Sequence, residues 1–117
     1  MKLLLKKPVL WVGDVQKVVR AFPKPVKVDL GTELMRLQSG VNPIDWRPMP
    51  TVGAGVSEIR VQYNGQWRLM YVAKFDEGIY VLHAFRKTTQ KTSMADIDTA
   101  RSRLSDLIKE RRRNGLH

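Results

Sequence analysis

The sequence predicts a compact α+β fold, in which an N-terminal strand and a helical hairpin pack on a mainly antiparallel, twisted sheet and a basic helix ends the chain. Residues 58–75 and 79–87 have the composition of three consecutive strands, joined by tight turns at Asn64-Gly65 and at residues 76–78. Apolar residues recur at helical spacing before and after this block. The length of 117 residues indicates a single domain that covers residues 1–117.

The N-terminal part of the chain predicts one short strand and two helices. The apolar run at residues 9–12 is typical of a buried strand, and Asp14 is a suitable N-cap for the helix that follows. Pro23 and Pro25 separate this helix from the next, because proline is tolerated in the first turn of a helix. Gly40 predicts the end of the second helix. The two apolar helix faces consist of Val15, Val18, Val19 and Phe22, and of Val26, Leu30, Leu34 and Leu37.

The middle of the chain predicts a sheet that carries cations on one side. Residues 46–49 include Pro48 and indicate a short edge strand, because proline is confined to sheet edges. The strand at residues 79–87 is apolar on both sides, as expected of a central strand. Charged side chains are costly to bury, so we expect the cation-bearing side to be open and to bind phosphate. By strand alternation that side carries Glu58, Arg60, Gln62, Arg68, Met70, Val72 and Lys74.

A basic amphipathic helix is predicted at the C-terminal end of the chain. Ser93 and Asp96 have the spacing of a capping box, which marks a helix start. The segment Lys109-Glu-Arg-Arg-Arg suits the negative end of the helix dipole, and Gly115 is a suitable cap beyond it. The apolar stripe of this helix consists of Ile97, Ala100, Leu104, Leu107 and Ile108.

Composition restricts the partners and the chemistry. The chain has 21 Lys and Arg against 11 Asp and Glu, a formal net charge of +10, which predicts an anionic partner such as nucleic acid, an acidic protein or an anionic membrane surface. The absence of cysteine excludes disulfides, cysteine zinc sites and thiol catalysis, and fits a cytoplasmic location. Two histidines without a cluster of carboxylates argue against a metal site. No apolar run is long enough for a membrane span, and we expect no export signal at the N-terminus.

Several short motifs occur in a fixed order along almost the whole chain. They are Lys7-Pro-Val-Leu-Trp-Val-Gly, Ala21-Phe-Pro, Gly31-Thr-Glu-Leu-Met-Arg-Leu-Gln-Ser-Gly, Gly55-Val-Ser-Glu-Ile-Arg-Val, Trp67-Arg-Leu-Met-Tyr-Val and Val81-Leu-His-Ala-Phe-Arg-Lys-Thr-Thr-Gln-Lys-Thr. Each motif is weakly specific by itself, but a chance match to all of them in this order is improbable. With these motifs the chain resembles the RelE/ParE superfamily of toxins, in particular its HigB-like, phage-derived branch.

The resemblance implies a toxin of a type II toxin–antitoxin system. Such a toxin is a ribonuclease that cuts mRNA, typically on the translating ribosome, and is neutralised by an antitoxin protein, here expected to carry a helix-turn-helix domain. The implied reaction is attack of a ribose 2′-hydroxyl on the adjacent phosphate, without a metal or other cofactor. Fixed cations are the expected catalyst, because this step builds negative charge on the phosphate. No membrane partner is expected.

The resemblance also assigns catalytic roles to strand residues. Arg68 matches the arginine that grips the scissile phosphate, and Arg60 matches a position that is basic in RelE-like members. Lys87 matches the cation after the last strand, which could neutralise the leaving group. Glu58 stands where relatives have a lysine; it is either a general base or, as we favour, a cross-strand partner of an arginine. His83 is either a general acid or base or a structural residue.

A second group of residues is assigned to RNA binding, and two other functions stay open. Trp67 and Tyr71 are expected in the core, whereas an exposed aromatic ring could stack on a base. One alternative is a ParE-like inhibitor of DNA gyrase, and the other is a non-catalytic phage protein that binds nucleic acid or a protein partner. The retained strand cations favour the nuclease. The expected RNA-binding residues are Arg47, Lys74, Phe85, Arg86 and Lys91.

Overall fold

The computed structural model describes residues 6–117, and this part of the chain contains three helices and five strands. Their order is β1 (Val9–Trp11), α1 (Val15–Arg20), α2 (Lys24–Gln38), β2 (Trp46–Pro48), β3 (Val56–Gln62), β4 (Gln66–Val72), β5 (Ile79–Lys87) and α3 (Met94–Arg113). The expectation about an export signal falls partly on residues 1–5, which lie outside the described residues.

The strands form one mixed sheet in the order β1-β5-β4-β3-β2. Strands β2, β3, β4 and β5 pair with one another in antiparallel fashion, and β1 runs parallel to β5, with Val9 opposite Ile79. The place of Pro48 in the edge strand β2 confirms the sequence expectation. The turn after β3 has positive φ angles at Asn64 (43°) and Gly65 (135°), as a tight hairpin turn requires. The predicted α+β fold is confirmed, and it agrees with the RelE-like fold that the resemblance implies.

The helices α1 and α2 cover one face of the sheet. Val15 and Val26 are fully buried and Leu30 is nearly so, in one core with Ile59 of β3 and Leu69 of β4. Full burial of a side chain of this size contributes about 1.5–3 kcal/mol, so these contacts hold the hairpin on the sheet. The apolar side that alternation predicts for β3 and β4 therefore packs as expected.

The opposite face of the sheet is not open along its whole length, which corrects the sequence expectation. Ala100, Leu104 and Leu107 of α3 form a second core there with Met70 of β4 and Leu82 of β5, among other residues. The prediction was wrong in this respect because the third helix also needs a sheet surface for its apolar stripe. Only the part of this face beyond the second core is left for the cations.

The helix ends follow the sequence signals at Gly40, Ser93 and Gly115 but not at Asp14; Gly115, with φ of 77°, lies just beyond α3 in the left-handed conformation. Ser93 caps α3, since its Oγ accepts the backbone N–H of Asp96 at 3.2 Å. Gly40, with φ of 79°, follows α2 in the left-handed conformation predicted for it. Asp14 precedes α1 but does not cap it, because its Oδ1 accepts a hydrogen bond from Arg103 Nη2 at 2.7 Å. In the part of the chain that the structure describes, no helix has the length and apolar character to cross a membrane.

A buried arginine fixes the C-terminal end of α3 to the loop between β4 and β5. Arg111 Nε donates to Glu77 Oε2 at 2.5 Å, and its guanidinium lies 3.6 Å from the centre of the Phe75 ring. The Tyr80 hydroxyl donates to the same Glu77 oxygen at 2.8 Å. The hydrogen bond from Arg111 lowers the pKa of Glu77 to about 2.

Candidate active site

Five charged side chains meet on the α3 side of the sheet. The strand register places Arg47 of β2 opposite Glu58 of β3, and Arg60 of β3 opposite Arg68 of β4. Lys87 ends β5 and is close enough for Arg68 and Arg47 to act on its charge. We call Arg47, Arg60, Arg68 and Lys87 the cation cluster.

Glu58 lies at the centre of the cation cluster and is fully buried. Its Oε1 accepts a hydrogen bond from Arg47 Nε at 3.2 Å and lies 3.4 Å from Arg68 Nε. Among the described residues its Oε2 has no hydrogen-bond partner, and this oxygen is covered as well. Glu58 is thus the cross-strand partner of two arginines, the arrangement that we favoured from the sequence.

Arg68 is held rigidly and is only 5% exposed. Its Nη1 donates to the Trp67 carbonyl at 3.1 Å, and both terminal nitrogens reach Gln66 Oε1 at 3.3 Å. Burial lowers the pKa of the Arg68 guanidinium from its ordinary value; Glu58 opposes this change, and Arg60 and Arg47 add to it. Arg68 still remains charged, because an arginine pKa starts so high.

The other cations of the cluster are more accessible than Arg68. Arg60 is paired with Asp45, whose Oδ1 lies 2.9 Å from both Arg60 Nε and Arg60 Nη2. The Arg47 side chain is 42% exposed and that of Arg60 is 37% exposed. Burial lowers the pKa of Lys87, and the charges of Arg68 and Arg47 lower it further. The rim of the cluster therefore meets solvent while Arg68 lies beneath it.

His83 of β5 lies opposite Met70 of β4 and is held by the N-terminus of α3. Its Nε2 is 2.7 Å from Asp96 Oδ1, and the other oxygen of Asp96 accepts the Ser93 hydroxyl at 2.7 Å. The His83 ring stacks on that of Phe85, with ring centres 5.1 Å apart. This chain of contacts fixes the orientation of the imidazole, as the third member of a nucleophile–base constellation usually does.

The remaining sequence-predicted RNA-binding residues are scattered. Phe85 is only 8% exposed, in the α3 core and against His83, so its ring is not open to a base. Arg86 projects from the other face, where it lies over the Trp67 ring and donates to the Asn64 carbonyl at 2.8 Å. Lys91 is exposed in the loop before α3 and lines a cavity together with Arg47.

Lys74 is also separated from the cluster, because β4 ends earlier than the sequence suggests. The strand stops at Val72, and Lys7 Nζ donates to the carbonyls of Ala73 and Phe75 at 2.8 and 2.9 Å. A side-chain ammonium thus satisfies backbone acceptors that a neighbouring strand would otherwise take. Lys74 lies with its ammonium 5.2 Å from the Phe75 ring centre, towards the end of α3.

A comparison with protein families identifies the group to which the chain belongs. Residues 17–105 match the family described as phage-derived protein Gp49-like, which spans more than half of the chain. The chain belongs to the Gp49-like family. This family falls within the context of the RelE/ParE-like toxins, which confirms the resemblance at that level. Comparison with curated proteins gave no match.

In this Gp49-like chain, three site residues were not found from the sequence. Asp45 pairs with Arg60, Gln66 supports Arg68, and Asp96 orients His83. Asp45 and Gln66 follow no motif, and their roles depend on which strands pair. Asp96 was found as a helix-capping residue, and only the packing of α3 on β5 shows its second contact.

The Gp49-like site is chemically an anion-binding surface. Glu58 pairs with Arg47 and Arg68, and Asp45 pairs with Arg60, so the four cations exceed the two carboxylates and leave the surface positively charged. Guanidinium groups bind phosphate oxygens through two parallel hydrogen bonds, which suits Arg68 and its neighbours. Within residues 6–117 no cluster of three or more His, Asp or Glu has the arrangement to hold a metal ion.

Proposed function

We propose that the protein is a HigB-like toxin of a type II toxin–antitoxin system and acts as a metal-independent endoribonuclease on mRNA, during translation on the ribosome. The observation that carries the proposal is the cation cluster, in which Arg68 is fixed beneath Arg47 and Arg60, with Lys87 nearby. Membership in a phage-derived family with a toxin context supports it.

The proposed reaction is a transfer within the RNA strand. The 2′-oxygen attacks the neighbouring phosphorus, the bond from phosphorus to the 5′-oxygen breaks, and the products end in a 2′,3′-cyclic phosphate and a 5′-hydroxyl. The phosphate gains negative charge in the transition state. Arg47 and Arg60 are accessible enough to make the first contact, and Arg68 stabilises the developing charge from below.

Two proton transfers accompany this reaction. In our proposal His83, oriented by Asp96, takes the proton of the 2′-hydroxyl, and Lys87 gives a proton to the departing 5′-oxygen. The lowered pKa of Lys87 makes its ammonium a better acid than an ordinary lysine. Glu58 serves as a positioning residue, because both of its oxygens are covered by protein.

The partners follow from charge and family. The net charge of +10 favours mRNA and the ribosome as targets in the cytoplasm, and an acidic antitoxin, with a helix-turn-helix domain, as the neutralising protein. An acidic segment laid over the cation cluster would exclude the substrate phosphate.

One observation supports a second candidate, a nucleic-acid-binding protein that does not cut. Arg68 is 5% exposed and Arg60 is already paired with Asp45. In this second candidate the two arginines attract a phosphate group electrostatically but do not stabilise a transition state. The two candidates make different predictions for Arg68.

The test is cleavage of a defined mRNA by the purified protein, with and without translating ribosomes. Arg68→Ala should reduce the cleavage rate by about 10²–10³-fold, because one donor to the transition state is removed. Arg86→Ala is the matched control, since it removes an arginine from the opposite face of the sheet and should leave cleavage nearly unchanged. Arg68→Lys, with a circular dichroism spectrum for each variant, separates loss of the charge from loss of the fold.

The outcomes divide the candidates. Cleavage that depends on Arg68 supports the nuclease. Absence of cleavage by the wild-type protein under both conditions overturns it, and RNA binding that Arg68→Ala weakens only modestly would then support the non-catalytic protein. A gyrase supercoiling assay would test the ParE-like alternative.

A further inference from the structure

A cavity opens next to the cation cluster, between the loop after β2 and the loop before α3. Its volume is about 330 Å³, which lies at the lower end of the range for small-molecule sites. Arg47 lines this cavity and also binds Glu58 in the cluster. A group attached to a phosphate at the cluster would therefore find the cavity directly beside it.

The lining combines flat apolar walls with polar groups. Pro48, Pro50 and Ile97 supply the apolar surface, and Gln90 supplies an amide group. Nucleobases have this same division, since their faces are apolar and their edges carry hydrogen-bond donors and acceptors.

The wall formed by the loop after β2 is held in place before any ligand binds. The Met49 N–H donates to the Val56 carbonyl at 2.8 Å, and Arg101 Nε donates to the Thr51 carbonyl at 2.6 Å. Gly53 packs so closely on Leu104 of α3 that an added Cβ would clash with it. A preformed wall lowers the conformational entropy that is lost on binding, which favours selective binding over non-specific binding.

We propose that this cavity is a nucleobase subsite, which receives the base of a nucleotide adjacent to the phosphate bound at the cation cluster. The inference rests on the proposed function, because it assumes that RNA occupies the cluster. Phe85 is buried, so the base-stacking role expected of it passes to the walls formed by Pro48, Pro50 and Ile97. Gln90 reads the edge of the base, and Lys91 sits at the exposed rim.

The test measures binding of four ribonucleoside 3′-monophosphates and of ribose 5-phosphate, which has no base, to the full-length protein by calorimetry or NMR titration. At least one nucleotide should bind about tenfold tighter than ribose 5-phosphate. Gln90→Ala should change the order of preference among the four bases, and Pro50→Ala should weaken all four relative to ribose 5-phosphate. Gln16→Ala, in an exposed glutamine of α1, is the matched control and should change nothing.

Failure of the inference is distinguishable from failure of the proposed function. Equal affinity for ribose 5-phosphate and all four nucleotides overturns the subsite, and so does a base preference that Gln90→Ala and Pro50→Ala leave intact. Base-dependent binding that these variants remove supports the subsite, even for a protein that does not cut RNA. Where the wild type cuts, sequencing of the cleavage sites should show that Gln90→Ala changes the base next to the cut.

Discussion

Replacing Glu58 by glutamine tests whether the buried carboxylate holds the cation cluster together. Glu58 is fully buried and lies 3.2 Å from Arg47 Nε and 3.4 Å from Arg68 Nε. At an effective dielectric constant of about 20, the gross attraction to a cation at this distance is roughly 5 kcal/mol. Desolvation offsets most of it, and the exposed Arg47 contributes little, about 0–1 kcal/mol.

The measurable quantity is the cost of removing one partner of this buried group. Truncating a buried ion pair typically costs about 3–5 kcal/mol, and glutamine keeps the shape and one acceptor oxygen of Glu58. We therefore expect Glu58→Gln to lower the free energy of unfolding by about 2–4 kcal/mol in urea titrations. Part of this loss is repulsion among Arg47, Arg60 and Lys87, so it should shrink in about 1 M salt, where the screening length is about 3 Å.

A matched control and a kinetic measurement complete the experiment. Asp45→Asn removes the exposed partner of Arg60 and should cost less than about 1 kcal/mol. If Glu58→Gln is as stable as the wild type at low salt, the carboxylate does not hold the arginines and the reasoning is wrong. If Glu58 is a positioning residue, cleavage by Glu58→Gln should be slower with an unchanged pH profile, whereas loss of the acidic limb of that profile would make Glu58 the general base.

Two further predictions concern pH. Glu77 has a pKa of about 2 in the folded protein, chiefly because Arg111 donates a hydrogen bond to it, against an ordinary value of 4.5. The contribution of Glu77 to stability is therefore complete above about pH 4.5 and is lost as the pH falls towards 2, because the unfolded chain takes up about one proton more than the folded protein in this range. Arg111→Met should abolish this part of the acid sensitivity in unfolding titrations. An unchanged acid sensitivity in the variant would contradict the pairing of Arg111 with Glu77. The pKa of Lys87 lies below its ordinary value, and we expect the cleavage rate to fall as the pH rises through that pKa, because the acid loses its proton. Lys87→Arg should cut about 10²–10⁴-fold more slowly and should lack this alkaline fall. The same alkaline fall in the variant would exclude Lys87 as the general acid.

The strands and their faces could be predicted because alternation of side chains is a local property. Period-two patterns place Arg60 and Arg68 on the side opposite Ile59 and Leu69, and the structure agrees. The parallel pairing of β1 with β5 could not be predicted, because a short apolar run does not specify its neighbour. The end of β4 at Val72 likewise depends on a distant lysine, Lys7, which no local pattern links to it.

The candidate site could be predicted only in part, for the same reason. The motif that includes Trp67 and Arg68 identifies Arg68 as a site residue, but the burial of Arg68 follows from the packing of α3 and from its contact with Gln66. Phe85 was expected to be free for a base, although a central strand covered on both faces leaves no aromatic ring open. The carboxylate that orients His83 comes from a helix 13 residues further along the chain.

The cation cluster opposes folding and favours anion binding through the same charges. Holding Arg47, Arg60, Arg68 and Lys87 together raises the energy of the free protein, and Glu58 offsets only part of this repulsion. A bound phosphate group would offset the rest, so an anionic ligand should stabilise the fold by an amount that grows with the logarithm of its concentration above its Kd. Because the arginines are already fixed by Glu58 and Gln66, little reorganisation would remain for the moment when charge develops on the phosphate. The buried carboxylate of Glu58 carries the same sign of charge as the ligand, but by fixing the arginines it makes this preorganisation possible.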